Sequence, residues 1–409
     1  MSISLQPTLG KERIQSLDIL RGIAILGILI MNIQSFAMPG SAYLNPASFG
    51  DLTGINYWVW TLSHVFADQK FMTIFSILFG AGIVLVTDKA EQREGKSAGL
   101  HYKRTFLLLV IGLIHAHLIW YGDILVAYAL CGFIAFLFRK ASPKKLLILG
   151  LIVLSVHTII YLLIGASMQF IPAEDLEEMR QGFWNPGMQA IQAEIAAITG
   201  SLAEQIRYNS ASAIEMETTA LGMQLFWRAG GLMLVGMALY KWGVLSAARS
   251  ISFYRKGLTL GVIIGLPIIV WGIIQNFEAG WTLEYSMFIG SQFNYWGSLA
   301  ISFSYICAIM LFAKSDGFVA LKKRLAAVGQ MALTNYIAQS VLGALLFFGV
   351  GFGLFGQFDR IDQVAVVLGI WLVQIAWSKP WLDTFRFGPL EWVWRTLTYG
   401  KAQPMKKQA

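Results

Sequence analysis

Cysteine is almost absent: Cys131 and Cys307 are the only two in 409 residues. Both lie inside apolar runs, which argues against a structural disulfide and against a zinc site. Charge is scarce as well. Asp, Glu, Lys and Arg make up 13% of the chain, about half the share of an ordinary soluble domain. No P-loop, GxGxxG, HExxH or CxxC array occurs, so ATP hydrolysis and metal-dependent proteolysis lack support and no metal is predicted. No internal repeat is evident, which counts mildly against the symmetric build of many transporters.

What the chain has is apolar length. Hydrophobic residues reach 56%. At ~20 apolar residues per crossing, spans are predicted at 17–37, 70–87, 105–120, 124–138, 146–166, 222–244, 257–276, 291–313, 325–350 and 362–377. The expected fold is all-α: a polytopic membrane bundle of about ten transmembrane helices. The first 16 residues are polar, and no small-residue cleavage site follows the first apolar run, so no cleaved signal peptide is expected. Of the 31 Lys and Arg, 25 fall in the amino terminus, 88–104, 139–145, 241–256, 314–324 and the tail after 377. Basic residues stay in the cytoplasm, so both termini are expected there. The net charge of +8 then reflects topology and membrane lipids, with no nucleic-acid partner implied.

Four regions follow: an amino-terminal transmembrane half (1–166), an extracytoplasmic insertion (167–221), a second transmembrane half (222–377) and a cytoplasmic interfacial helix with a basic tail (378–409). The insertion carries eight acidic residues against Arg180 and Arg207. Its apolar positions Met188, Ile191, Ile195 and Ile198 recur at helical spacing, which predicts two or three amphipathic helices. Earlier, 55–68 reads as an interfacial helix with Trp58 and Trp60 at headgroup level.

The stretch 13–36, RIQSLDILRGIAILGILIMNIQSF, is apolar yet polar at both ends. Asp18 and Arg21 are i,i+3 neighbours. The 11 steps from Arg21 to Asn32 make roughly three turns, which puts both on one face about 16 Å apart. Its pattern, R-x-x-x-L-D-x-L-R-G-x-A-x-x-G-x-x-x-x-N, resembles the opening of the YeiB-type bacterial inner-membrane family. So do IFSILFGAG at 74–82 and GLIHAHLIWYGDIL at 112–125. The carboxyl-terminal strings at 328–356 and 378–400 resemble that family's domain of unknown function 418. The resemblance covers most of the chain and implies a bacterial inner-membrane location; the family's activity is open. More distantly, the first helix is similar to that of transmembrane acyltransferases of the heparan-α-glucosaminide acetyltransferase type. That similarity implies acyl-CoA (acetyl-CoA) as donor. Acyltransferases of family 3 carry Arg, ten residues and then His on this helix; here position 32 is Asn.

Polar groups inside a membrane helix are costly and mark functional sites. His115 lies in an apolar helix, and a tight turn brings Asp123 back toward it. His64 and Asp68 are i,i+4 on one face. A carboxylate beside an imidazole fixes its tautomer and suits a general base. His117 points about 200° from His115, and His157 reads as packing. Lys70 is expected to neutralise Asp68. Arg228, one turn inside its span, is expected either to snorkel outward or to hold an anion. Asn335 and Gln339 are i,i+4 within the membrane, Pro267 predicts a kink, and Glu391 is expected to pair with Arg395.

Two functions fit. In the first, an acyl-CoA-dependent acyltransferase, His115 or His64 is the base and Asp123 or Asp68 orients it. Arg21 meets the CoA phosphates, while Asn32 and Asn335 stabilise an oxyanion or place the acceptor. In the second, a transporter of a small polar solute, Asp18, Arg21, Lys70 and Arg228 line the path. The small-molecule substrate is unknown on either reading. A silent assembly or sensor protein and a homo-oligomer both remain open.

Overall fold

The computed structural model describes residues 13–407, the side chains of 93 and 94 excepted. The amino terminus assigned to the cytoplasm therefore lies mostly outside the described residues, as do 408 and 409. All regular structure described is helical, apart from an isolated bridge between Phe385 and Lys406.

The elements run α1 (Gln15–Ala37), α2 (Ser41–Leu44), α3 (Gly54–Phe66), α4 (Lys70–Glu94), α5 (Ala98–Leu118), α6 (Leu125–Ala135) and α7 (Pro143–Ser167). The insertion folds as α8 (Ala173–Met179), α9 (Met188–Thr199) and α10 (Leu202–Glu215). Then follow α11 (Phe226–Lys241), α12 (Ile251–Glu278), α13 (Ser291–Lys314), α14 (Val319–Gln330), α15 (Ala332–Phe347), α16 (Arg360–Thr384) and α17 (Pro389–Tyr399). Three π-helical stretches, 180–184, 216–225 and 283–290, join them at one end of the bundle.

Local chemistry sets the boundaries. Ser142 accepts from the Lys145 N–H and Pro143 takes the first turn of α7, where its missing N–H costs nothing. Ser250 caps α12, and Ser201 with Glu204 forms a capping box on α10. The α12 helix runs unbroken through Pro267.

Six helical runs are long and apolar enough to cross a membrane: 15–37, 54–92, 143–170, 251–278, 283–314 and 360–384. Two shorter apolar runs, 125–138 and 332–347, accompany them. Each of the ten predicted stretches lies mainly on helix; 105–120 overruns α5 by two residues and 222–244 overruns α11 by three, and one stretch needs a larger correction. The stretch 325–350 is not a single helix; it breaks at Met331 into α14 and α15 and ends at Phe347. The break has a cause. The first N–H groups of α15 are taken by a side chain from α17: Glu391 Oε1 accepts from Leu333 N at 2.7 Å and Thr334 N at 3.1 Å.

The first helix is the axis of the bundle, touching α4, α13, α14, α15 and α16. It crosses α14 at backbone distance. A Cβ on Gly22 would strike the Leu325 carbonyl, and one on Gly329 would strike the Asp18 carbonyl. The other half pairs α12 with α13 and packs α11 on α4 and α7. At one end Trp394 Nε1 donates to the Arg104 carbonyl and Lys241 to the Ala141 carbonyl. The opposite end is closed by the insertion: Asn209 donates to the Ile119 carbonyl, and Glu194 accepts from Gly40 N and the Tyr208 hydroxyl.

Candidate functional site

The hairpin between α5 and α6 builds the most enclosed polar pair. His115 sits in the last turn of α5, and its carbonyl accepts from the N–H groups of both Ile119 and Trp120. The turn brings Asp123 back to it, and His115 Nδ1 lies 2.8 Å from Asp123 Oδ1. The second carboxylate oxygen accepts from Val126 N at 2.8 Å, which anchors the start of α6. Both side chains are 1% exposed.

This arrangement has a chemical consequence. A carboxylate only accepts, so Nδ1 carries a proton, and in the neutral imidazole Nε2 presents its lone pair. Nε2 is buried and has no hydrogen-bond partner. Tyr336 of α15 packs beside the imidazole, ring centres 5.1 Å apart, and Trp120 lies 6.3 Å away with its own Nε1 unpartnered. Ile124 N donates to the Tyr336 hydroxyl at 3.4 Å. A shallow cleft lined by Tyr121, Asp123, Glu217 and Leu221 lies behind the pair, between the hairpin and the 216–225 stretch.

A second cluster forms where α3 meets α4. His64 Nδ1 is 3.2 Å from Asp68 Oδ2, as the i,i+4 spacing predicted. Lys70 does not pair with Asp68 directly. Instead Asn294 bridges them: its amide donates to Asp68 at 2.7 Å and its carbonyl oxygen accepts from Lys70 Nζ at 2.6 Å. Lys70 Nζ also donates to the His64 carbonyl and is 0% exposed. The reason is backbone geometry. Gln69, at φ 64°, interrupts the helix between Asp68 and Lys70 and caps the start of α4.

Arg228 does not snorkel. It is 0% exposed and donates to the Tyr295 carbonyl, Thr73 Oγ1 and Ser298 Oγ. No carboxylate pairs with it among the described residues, and its Nε has no partner.

The remaining residues take separate places. Asp18 meets Arg21 at 3.3 Å, and also Arg13 at 3.0 Å, a partner the helix spacing did not reveal. Asn335 Nδ2 donates to the Val328 carbonyl and Ser378, and Gln339 Nε2 to the Ile25 carbonyl and Gln374. Their side-chain oxygens, Asn335 Oδ1 and Gln339 Oε1, are buried without donors. Asn32 is half-buried and no hydrogen bond of its side chain occurs among the described residues. His157 Nδ1 donates to the Met223 carbonyl, and its ring stacks on Tyr295. Glu391 does not pair with Arg395, because both of its oxygens serve α15. Oε2 accepts from the Thr334 hydroxyl at 2.5 Å. Both cysteines are free and buried, and no group of three or more metal-ligating side chains occurs among the described residues.

Residues 239–401 match the family described as "Protein of unknown function (DUF418)". The chain is 34% identical to "Uncharacterized protein YeiB" of Escherichia coli (strain K12), covering 96% of this chain and 98% of that protein. It is 31% identical to "Uncharacterized protein YxaH" of Bacillus subtilis (strain 168), over 99% of each chain. A third relative, "Uncharacterized 39.9 kDa protein in amylase 3'region" of Bacillus acidopullulyticus, is 27% identical over 99% of this chain and 100% of its own. With end-to-end similarity at this level and the carboxyl-terminal match, the chain belongs to the YeiB-type family of helical, membrane-like proteins that carry the DUF418 domain.

Proposed function

We propose that the protein is a membrane-embedded acyltransferase that moves an acyl group from acyl-CoA to a polar acceptor, with His115 as base and Asp123 as its orienting carboxylate. The single observation that carries this reading is the free, buried Nε2 of an imidazole whose Nδ1 is fixed by a carboxylate. In the step, Nε2 takes the proton of the acceptor hydroxyl or amine while that atom attacks the thioester carbonyl. The tetrahedral intermediate collapses, the C–S bond breaks, and His115 returns the proton to the departing CoA thiolate. The amide of Asn32 is uncommitted and is the better oxyanion donor, since that of Asn335 already serves Val328 and Ser378. His64 and Asp68 form the alternative pair.

The accompanying topology has ten crossings in a bacterial inner membrane. The basic end, with both termini, is cytoplasmic, and 167–221 lies outside. The Arg21 end would admit the CoA, and the insertion end would meet the acceptor.

A transporter is the second reading. It is favoured by the enclosed Lys70–Asn294–Asp68 chain and by Arg228 without a carboxylate. Acyl-CoA binding to protein in nanodiscs, measured by calorimetry, tests the first reading. Micromolar binding lost in Arg21→Ala supports it. No binding of any short- or long-chain CoA ends it and favours uptake assays with Lys70→Ala.

A further inference from the structure

Arginines from three separate elements gather where α1, α5 and α17 meet. Arg13 precedes α1 and Arg21 lies in its second turn, while Arg104 comes from α5 and Arg395 from α17. Arg395 lies within electrostatic range of Arg104, Arg13 and Glu391, and Arg21 within range of Arg13 and Glu391. Aromatic faces position two of them. The Arg104 guanidinium lies 4.4 Å over the Trp394 ring, and that of Arg395 lies 4.8 Å over Phe387.

The counter-charge is incomplete. Arg13 and Arg21 share the one carboxylate of Asp18. No ion pair to Arg104 or Arg395 occurs among the described residues; the neutral Tyr399 hydroxyl is the side-chain partner of Arg104. Glu391 is the remaining acid, and it is spent on α15: its two oxygens accept from Leu333 N, Thr334 N and Thr334 Oγ1. Burial also pushes the Glu391 carboxyl above its ordinary range, against the pull of the Thr334 and Leu333 donors. Arg395 thus lies between Arg104 and Arg13, Arg13 beside Arg21, and the acids near them are Asp18 and a committed Glu391. Guanidinium groups held on aromatic faces, with donors left over, are the usual recognition device for phosphate oxygens.

We propose that Arg13, Arg21, Arg104 and Arg395 form a binding site for a phosphate or diphosphate group presented at the α17 end of the bundle. The group belongs either to a soluble phosphorylated compound or to an anionic lipid headgroup. Arg104 and Arg395 take no part in the dyad, so the site goes beyond the transferase reading. Only at Arg21, where acyl-CoA would arrive, does it rest on that reading.

The test uses inorganic pyrophosphate, titrated calorimetrically into the full chain in nanodiscs of neutral phosphatidylcholine. Saturable binding is expected, weakened at least tenfold in Arg104→Gln and in Arg395→Gln. It should be retained in Arg139→Gln, whose parent side chain is already paired with Glu91. Arg395→Lys, which keeps the charge but loses the planar fork, should bind with intermediate affinity and shows that the loss is not misfolding. Repeating the titration with phosphatidylglycerol in the disc separates the sources. Competition by the lipid marks a headgroup site, and undiminished binding marks a soluble ligand. Pyrophosphate binding without any acyl-CoA turnover keeps this site and removes the transferase. No saturable binding, or equal binding in the Gln variants, overturns the site.

Discussion

His115 and Asp123 divide two tasks cleanly between four atoms. One carboxylate oxygen holds the helix, the other holds the imidazole, and Nε2 is left over. Under the proposed chemistry, His115→Ala should cost about 10²–10⁴ in turnover while leaving CoA affinity intact; steady-state rates beside calorimetry check both. Asp123→Asn should lower the rate and also destabilise the hairpin, since the Asn amide turns donor where the carboxylate only accepted. Arg228 gives a prediction free of any functional reading. Arg228→Ala takes a donor from the Tyr295 carbonyl and from Thr73 Oγ1 and Ser298 Oγ, while the Ser298 hydroxyl still donates to Tyr295. It should cost about 1–3 kcal/mol, as expected when buried neutral polar groups lose a donor, read as a lower thermal midpoint in detergent. Sequence spacing showed the His115–Asp123 and His64–Asp68 pairs because the partners are local. Tyr336 and Asn294 stayed hidden because they arrive from more than 200 positions away. The Glu391–Arg395 pairing failed for a related reason. The i,i+4 rule describes an isolated helix, whereas buried N–H groups of another helix compete for the same carboxylate and win.

At the scale of elements, two contacts decide the architecture. The α1–α14 crossing depends on Gly22 and Gly329, whose absent side chains let backbone meet backbone. Gly329→Ala should therefore cost at least about 1–3 kcal/mol, as overpacking does, and more where backbone must shift. Denaturant or thermal melts of the purified variant measure it. The insertion offers a milder case. The Ser201 side chain, then its backbone N–H, holds the Glu204 carboxyl below its ordinary range. A depressed carboxylate stabilises above its unfolded value and loses that contribution as pH falls through the depressed one. Amide exchange in the first turn of α10 should therefore quicken on acidification. In Ser201→Ala it should already be fast at neutral pH. The existence of these helices was legible from apolar spacing at 188–198. The break at Met331 was not, since its cause is a side chain 60 positions later.

The whole molecule is a helical bundle with α1 at its centre and an acidic insertion closing one end. If the basic end is cytoplasmic, a single cysteine at Gly182 should react with a membrane-impermeant maleimide in intact cells, and one at Lys401 should not. The natural Cys131 and Cys307 are buried and should give little background. The reverse labelling pattern would invert the topology.

The order of synthesis gives the α1 crossing a further meaning. α1 is synthesised well before α14, α15 and α16, which pack along it, and α14 meets its polar end. Such late partners make for slow, non-local assembly. If α1 enters the membrane as it is made, Asp18 and Arg21 wait there with mainly each other and Arg13 for company. The short-range triad thus acts as a temporary counter-ion set that keeps the first helix tolerable to lipid until the last third of the chain arrives.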